Sequence, residues 1–309
     1  MRIIKLCTIG GNLATLNNGS KALSMNYINY NPLDLPANTV RVRTNDGNAP
    51  EKYSGTYYYT SYETATLVAG TTDVYDVYKS GNSFDYLLYT SKNVVEVLGA
   101  NTTGITSMQG MLAYCRYLTS VALFDTTSAT NLTSMFYYCE SLTSVPLFDT
   151  SNVTNISYML ADCHNLTSVP LFNTSKVTNI RNILQNCISL TSVPLFDTSN
   201  VTDMYYMLAR CYLITSVPLF NTSKVTNMHS MLAHCTALTS IPLFDTSRVT
   251  DMSYMCYNCT NVQSGALALY QQASSQANPP TSYSLCFTDC GSNTVNGAAE
   301  LAQIPADWK

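Results

Sequence analysis

Apolar residues return along this chain with a period of 24. From Asp149 to Phe172 it reads DTSNVTNISYMLADCHNLTSVPLF; five further units begin at Asp125, Asn173, Asp197, Asn221 and Asp245, and a looser one at Asn101. When each unit is numbered from its Asp or Asn, apolar side chains fall at positions 5, 8, 11, 12, 15, 18, 21 and 23. One example is Val201, Met204, Met207, Leu208, Cys211, Ile214, Val217 and Leu219. Positions 8, 11, 12 and 15 have the i, i+3, i+4, i+7 spacing of one helical face, which predicts a helix of about two turns. A single unit cannot bury that face alone, whereas neighbours in register can.

Positions 18, 21 and 23 follow the L-x-x-L-x-L spacing of a leucine-rich-repeat strand. The pattern therefore predicts an α/β repeat, a leucine-rich-repeat-like solenoid of about nine 24-residue coils with a small N-terminal β-rich domain. Carried backward, the register puts Phe84, Leu87, Leu88, Ser91, Val94 and Val97 on positions 8, 11, 12, 15, 18 and 21. Residues 77–100 then form a degenerate first coil and 101–268 the regular coils. Forward, Cys286, Phe287 and Cys290 take positions 11, 12 and 15, so 269–309 supply a degenerate last coil and cap. Two helices are expected there, one in GALALYQQASSQANPP, stopped by Pro279 and Pro280, and one around Gly297–Gln303. Residues 1–76 carry no repeat. The alternation TVRVRT at 39–44, the Asp46-Gly47 turn and the tyrosines at 57–59 and 62 predict the β-rich domain, with the first 35 residues loosely structured.

Inside the unit, Pro at position 22 lacks the N–H of a ladder and shortens the strand. Phe at position 24 predicts an aromatic spine from unit to unit. Asp or Asn at position 1 suits a turn in which the side chain accepts a backbone N–H. From Asp149 onward this residue alternates Asp and Asn, which lowers repulsion between neighbours ~4.8 Å apart. Cysteine at position 15 (Cys115, Cys139, Cys163, Cys187, Cys211, Cys235, Cys259) predicts a ladder of reduced thiols in an apolar slot. Cys256, Cys259, Cys286 and Cys290 have zinc-like spacing, yet two of them are ordinary members of that slot, so no metal is expected.

Charged residues make up only 11% of the chain and the net charge is −4, which excludes a basic nucleic-acid footprint. No apolar run reaches the ~18 residues of a membrane span, and the start MRIIKLCTIGGNL has too short an apolar stretch for a signal peptide. The histidines His164, His229 and His234 occupy positions that change from unit to unit, and no nucleophile is held against them. A glycan-cleaving pair of Glu140 and Asp162 is the only carboxylate candidate, without a specialised cleft to hold it. The expectation is no enzyme and no cofactor.

At NTSKVTNMHSMLAHCTALTSIPLF the chain resembles the BspA-like leucine-rich-repeat surface proteins, whose repeats carry an NTSxVTNMxxMFxxCxxLTS core. The likeness covers roughly 77–290. It implies a bacterial surface adhesin or lipoprotein, or a related array from a phage or prophage structural gene. The lack of a secretion signal and anchor favours the phage member.

Comparing the units with one another, positions 19 and 20 are nearly always Thr-Ser, while 9, 10, 13, 14, 16 and 17 vary freely. The varying positions hold Tyr138, Tyr158, Arg181, Tyr205, Tyr206, Arg210, Tyr212, His229, His234, Tyr254 and Tyr257. Tyr and Arg give contact area with few torsions to freeze. These eleven residues are the expected partner-binding face of a non-enzymatic adhesion protein. The expected setting is a phage virion or tail appendage, and the expected partner a protein or glycan of a bacterial surface. The alternatives are a structural virion component contacting other virion proteins, a bacterial cell-surface adhesin, and assembly as a homo-oligomer.

Overall fold

The computed structural model describes residues 35–56 and 58–309. Expectations for residues 1–34, the loosely structured start included, and for Tyr57 lie outside the described residues.

The alternating TVRVRT segment is strand β1 (Thr39–Thr44). Val40 and Val42 are fully buried, while Arg41 and Arg43 point outward to Asp76 (2.6 Å) and Glu96 (2.9 Å). With β2 (Thr64–Leu67), β3 (Val74–Tyr78), β4 (Val94–Asn101) and β5 (Ser120–Val121) it makes one open sheet, in the order β2-β3-β1-β4-β5. The first three pairings are antiparallel and β4–β5 is parallel.

The expected α/β leucine-rich-repeat-like solenoid of about nine coils is not the architecture found. The regular structure is chiefly this mixed five-stranded sheet; of the two α-helices, α1 (Ala266–Ser275) begins at the end of the last regular unit and α2 (Val295–Gln303) lies beyond it. No unit contains the predicted two-turn helix, and after β5 positions 18–23 form no strand, only the bridge Ser240↔Ser264.

In place of the helix, each unit makes consecutive tight turns. Met207 N–H bonds Met204 and Cys211 N–H bonds Leu208, each three residues back, at 3.1 and 3.2 Å. The third residue of each turn, at positions 10 and 14, has positive φ: 52° at Tyr206 and 64° at Arg210. That is the geometry of type II turns. Two four-residue turns in succession put positions 8, 11, 12 and 15 on the inside, reproducing the spacing of a helical face without its backbone.

The N–H groups left over point to the next unit. Met204, Tyr206, Leu208 and Arg210 donate to the carbonyls of Asn227, His229, Met231 and Ala233 at 2.7–2.9 Å, so alternate donors serve the unit itself and its neighbour. Single parallel bridges link position 7 from Ser83 through Asp251 and on to Ser282. Side chains add further ladders. Asp197 Oδ1 accepts Ser199 N–H and Asp203 Oδ1 accepts Tyr205 N–H, the first being the turn expected at position 1. Thr198 Oγ1 donates to Asn221 O, and the Cys211 thiol to Leu184 O at 3.1 Å. All ten described cysteines are free and buried.

Positions 5, 8, 11, 12, 15, 18, 21 and 24 enter the core, each large side chain withdrawn from water contributing roughly 1.5–3 kcal/mol before conformational entropy. The expected Phe spine is buried at all six positions, Phe124 and Phe148 with ring centroids 4.9 Å apart. Position 23 departs from expectation. Phe220 N–H bonds the carbonyl of Pro218 two residues back (2.9 Å), and this tight turn faces Leu219 outward, 62% exposed.

Candidate functional site

The varying positions lie on the turn ribbon, so six of the eleven predicted residues (Tyr138, Tyr158, Tyr206, Arg210, His234 and Tyr254) have positive φ between 52° and 64°. Left-handed backbone costs an ordinary L-residue about 1–2 kcal/mol, less for Gly, Asn or Asp. Elsewhere the same slots hold those cheaper residues, as at Gly110, Asn182, Asn186 and Asn258.

The structure brings part of the predicted set together. Tyr205 and Tyr206 have ring centroids 4.5 Å apart, and both stack on His229 of the next unit at 5.1 and 5.6 Å. His229 touches Tyr254 (5.7 Å), Tyr254 touches Tyr257 (5.6 Å), and Tyr257 meets His234 edge-on at 5.2 Å. The Arg181 guanidinium lies 4.7 Å over Tyr205 and 4.0 Å from Asp203, and His229 Nδ1 lies 3.5 Å from Asp251.

Between these rings opens a groove of about 210 Å³. Its floor is Ala209, Ser230 and Ala233, its walls Tyr206, Tyr254 and Tyr257, and its polar edge Arg210 and His234. Small residues at positions 10 and 13 of two units create the depression between tyrosines of their neighbours. Asn258 Nδ2 donates to His234 Nδ1 at 3.0 Å, which leaves Nε2 as the proton-bearing nitrogen. Burial, reinforced by the Arg210 charge, holds the His234 imidazole below its ordinary pKa. Desolvation likewise raises the Tyr205 phenol. The groove thus offers aromatic faces, the Arg210 cation, and hydrogen-bonding groups from Arg210, His234, Ser230 and the tyrosine hydroxyls.

Tyr138 and Tyr158 belong to a second cluster. Tyr114 stacks on Tyr138 at 5.1 Å, Tyr137 meets Tyr158 at 6.0 Å, and Arg116 covers Tyr138 at 4.9 Å. The polar face of the unit starting at Asn173 lies between the clusters in sequence, where Asn186 Nδ2 donates to Asp162 at 2.7 Å. Tyr212 stands apart: it is 38% exposed and, among the described residues, makes no ring contact with either cluster.

Sequence reasoning missed Tyr86, Tyr89, Tyr114 and Tyr137, which continue the second cluster toward Tyr58 and Tyr53. Their positions in the unit, 10, 13, 14 and 13, were the available signal. Burial lifts the Tyr89 phenol to about 12.

Glu140 is engaged by Arg116 at 3.7 Å, and Asp162 by Asn186. Cys256, Cys259, Cys286 and Cys290 are buried thiols, and among the described residues no group of three or more His, Cys, Asp or Glu is placed to hold a metal ion. Among the same residues no helix is long and apolar enough to cross a membrane.

A family model described as "Mycoplasma protein of unknown function, DUF285" matches twice in tandem, over residues 82–187 and 164–268. No curated protein matches the chain.

Proposed function

We propose that this chain, which belongs to the DUF285 family, is a non-enzymatic binding protein that grips a saccharide or protein of a bacterial surface through its aromatic groove. In this reading it is a BspA-like repeat protein carried on a phage appendage, or displayed on a cell. The observation that carries the proposal is the occupancy of the left-handed slots. Tyr206, Arg210, His234 and Tyr254 stand where Gly, Asn or Asp serves the backbone at lower cost, and these side chains line an open groove. Tyr faces flanked by Arg and His donors suit a ring that stacks on one face and hydrogen-bonds at its edge.

The test is retention of the purified protein on bacterial cells and on their isolated wall glycans. A Tyr206→Ser, Tyr254→Ser, Tyr257→Ser variant should bind at least tenfold more weakly, ~1.4 kcal/mol. Serine already occupies the position-10 slot at Ser134 and Ser230, so the backbone tolerates it. Undiminished retention by a variant that still melts cooperatively would remove the groove from the function.

The contacts of Tyr205 and Tyr206 with His229 join one unit to the next and favour a second reading, a structural virion component stiffened by its rings. A large fall in melting temperature, with no surface ligand found for the parent protein, would support that reading.

A further inference from the structure

Six leucines at position 23, Leu123, Leu147, Leu171, Leu195, Leu219 and Leu243, are each 54–62% exposed. They recur once per unit, each followed by a buried Phe and then by the Asp or Asn of position 1, and from Leu147 to Leu243 the Pro-to-Phe turn holds each outward. Together they offer on the order of 600 Å² of apolar surface, near the roughly 800 Å² per partner of a stable interface. At the Leu123 end the row opens into a depression of about 340 Å³ lined by Leu123, Leu147, Asp125 and Asp149.

The charges beside the row identify its occupant. Position 1 runs Asp125, Asp149, Asn173, Asp197, Asn221, Asp245; position 4 runs Ser128, Asn152, Lys176, Asn200, Lys224, Arg248. When a second row is laid antiparallel so that all six leucines meet, Leu123 faces Leu243, Leu147 faces Leu219, and Leu171 faces Leu195. In that register Arg248 of one copy comes opposite Asp125 of the other, Lys224 opposite Asp149, and Lys176 opposite Asp197. Every cation of the row meets an acid. This register has one acid pair, Asp125 opposite Asp245, with Arg248 beside it; a shift by one unit sets Asp149 against Asp245 and Asp197 against itself and leaves Lys176 and Lys224 opposite asparagines. Asp125, which breaks the Asp/Asn alternation, is the residue that Arg248 requires. Lys176 and Lys224 each donate one bond to the preceding unit's Asn152 and Asn200 (2.7 Å), leaving two of three ammonium donors for a partner.

We infer that the leucine row is the interface of an antiparallel homodimer, its register set by the matched Asp and Lys/Arg residues.

Sedimentation of the full chain should show a dimer at micromolar concentration that weakens with added salt. Leu147→Ser, Leu171→Ser, Leu195→Ser and Leu219→Ser together should leave a folded monomer. Register is read in a Cys7→Ser background: Leu147→Cys mixed with Leu219→Cys should cross-link under mild oxidation. Leu147→Cys alone should not, because its two copies would sit three units, ~14 Å, apart. A monomeric parent, a dimer indifferent to the four serines, or self-cross-linking of Leu147→Cys would each overturn the inference. A monomer that floats with phosphatidylglycerol vesicles and loses this in the serine variant would overturn it in favour of a lipid surface.

Discussion

Arg210 and His234 hold the same left-handed position of neighbouring units, and the Arg210 backbone N–H donates at 2.7 Å to the carbonyl of Ala233, the residue before His234. One is a permanent cation; the other is kept neutral, by burial first and by that cation second. Proton-detected titration should find His234 below the usual 6.5 and Arg210→Gln moving it part of the way back. Since the unfolded chain binds this proton more readily, the depressed value makes the folded form lose stability as pH falls below about 6.5. A His234 that titrates normally in the parent would refute the burial argument.

The turn geometry predicts an inversion of ordinary helix rules. Ser134, in a left-handed slot, has φ 56°. Ser134→Gly should leave stability unchanged or slightly raised, whereas Ser134→Val should cost about 1–2 kcal/mol or more by denaturant unfolding. In a helix interior glycine would instead be the damaging change.

Thiol chemistry should be nearly silent in the native state. Burial pushes the Cys115, Cys211 and Cys259 thiols up to about 12, and each thiol donates to a carbonyl of the preceding unit at 3.1 Å. At pH 8 without denaturant a disulfide reagent should titrate Cys7 at most; unfolding should release ten more thiols. Rapid native labelling of Cys187 or Cys211 would show that the apolar slot opens.

Acid should probe the position-1 turns. Asp149, Asp197 and Asp245 lie below the ordinary carboxylate value because Ser151, Ser199 and Ser247 hydrogen-bond them. Their contribution is present above the unfolded value of about 3.8 and is lost as pH falls through the lower folded one. Replacing all three by Asn keeps the turn acceptor and should flatten the fall of melting temperature between pH 5 and 2. An unchanged slope would place acid sensitivity elsewhere.

The inward positions were legible because a period of 24 repeated seven times leaves little freedom in deciding which residues must avoid water. The backbone that carries them was harder to read. Met204, Met207, Leu208 and Cys211 fit a helical face and a pair of four-residue turns equally, and only the left-handed slots, with Gly110, Asp162, Asn186 and Asn258, betray the turns. Leu219 misled in the opposite sense: its spacing continues a strand, yet Pro218 ends the ladder and turns it out. For the groove, variation among units singled out Tyr206, Arg210, His234, Tyr254 and Tyr257. It could not show that position 10 of one unit meets position 9 of the next, which separates Tyr205 and Tyr206 beside His229 from the isolated Tyr212.

Because the N–H groups that each unit passes forward match the carbonyls it presents backward, genetic duplication or loss of whole units would splice without a scar in the backbone. The alternation of DTSN with NTSK gives that process a coarser step. Removing residues 173–196 would set Asp149 next to Asp197, whereas removing 149–196 joins Phe148 to Asp197 and leaves the downstream alternation intact. Length in such a gene would then drift in jumps of 48 residues, two units at a time, with the odd jumps weeded out by charge.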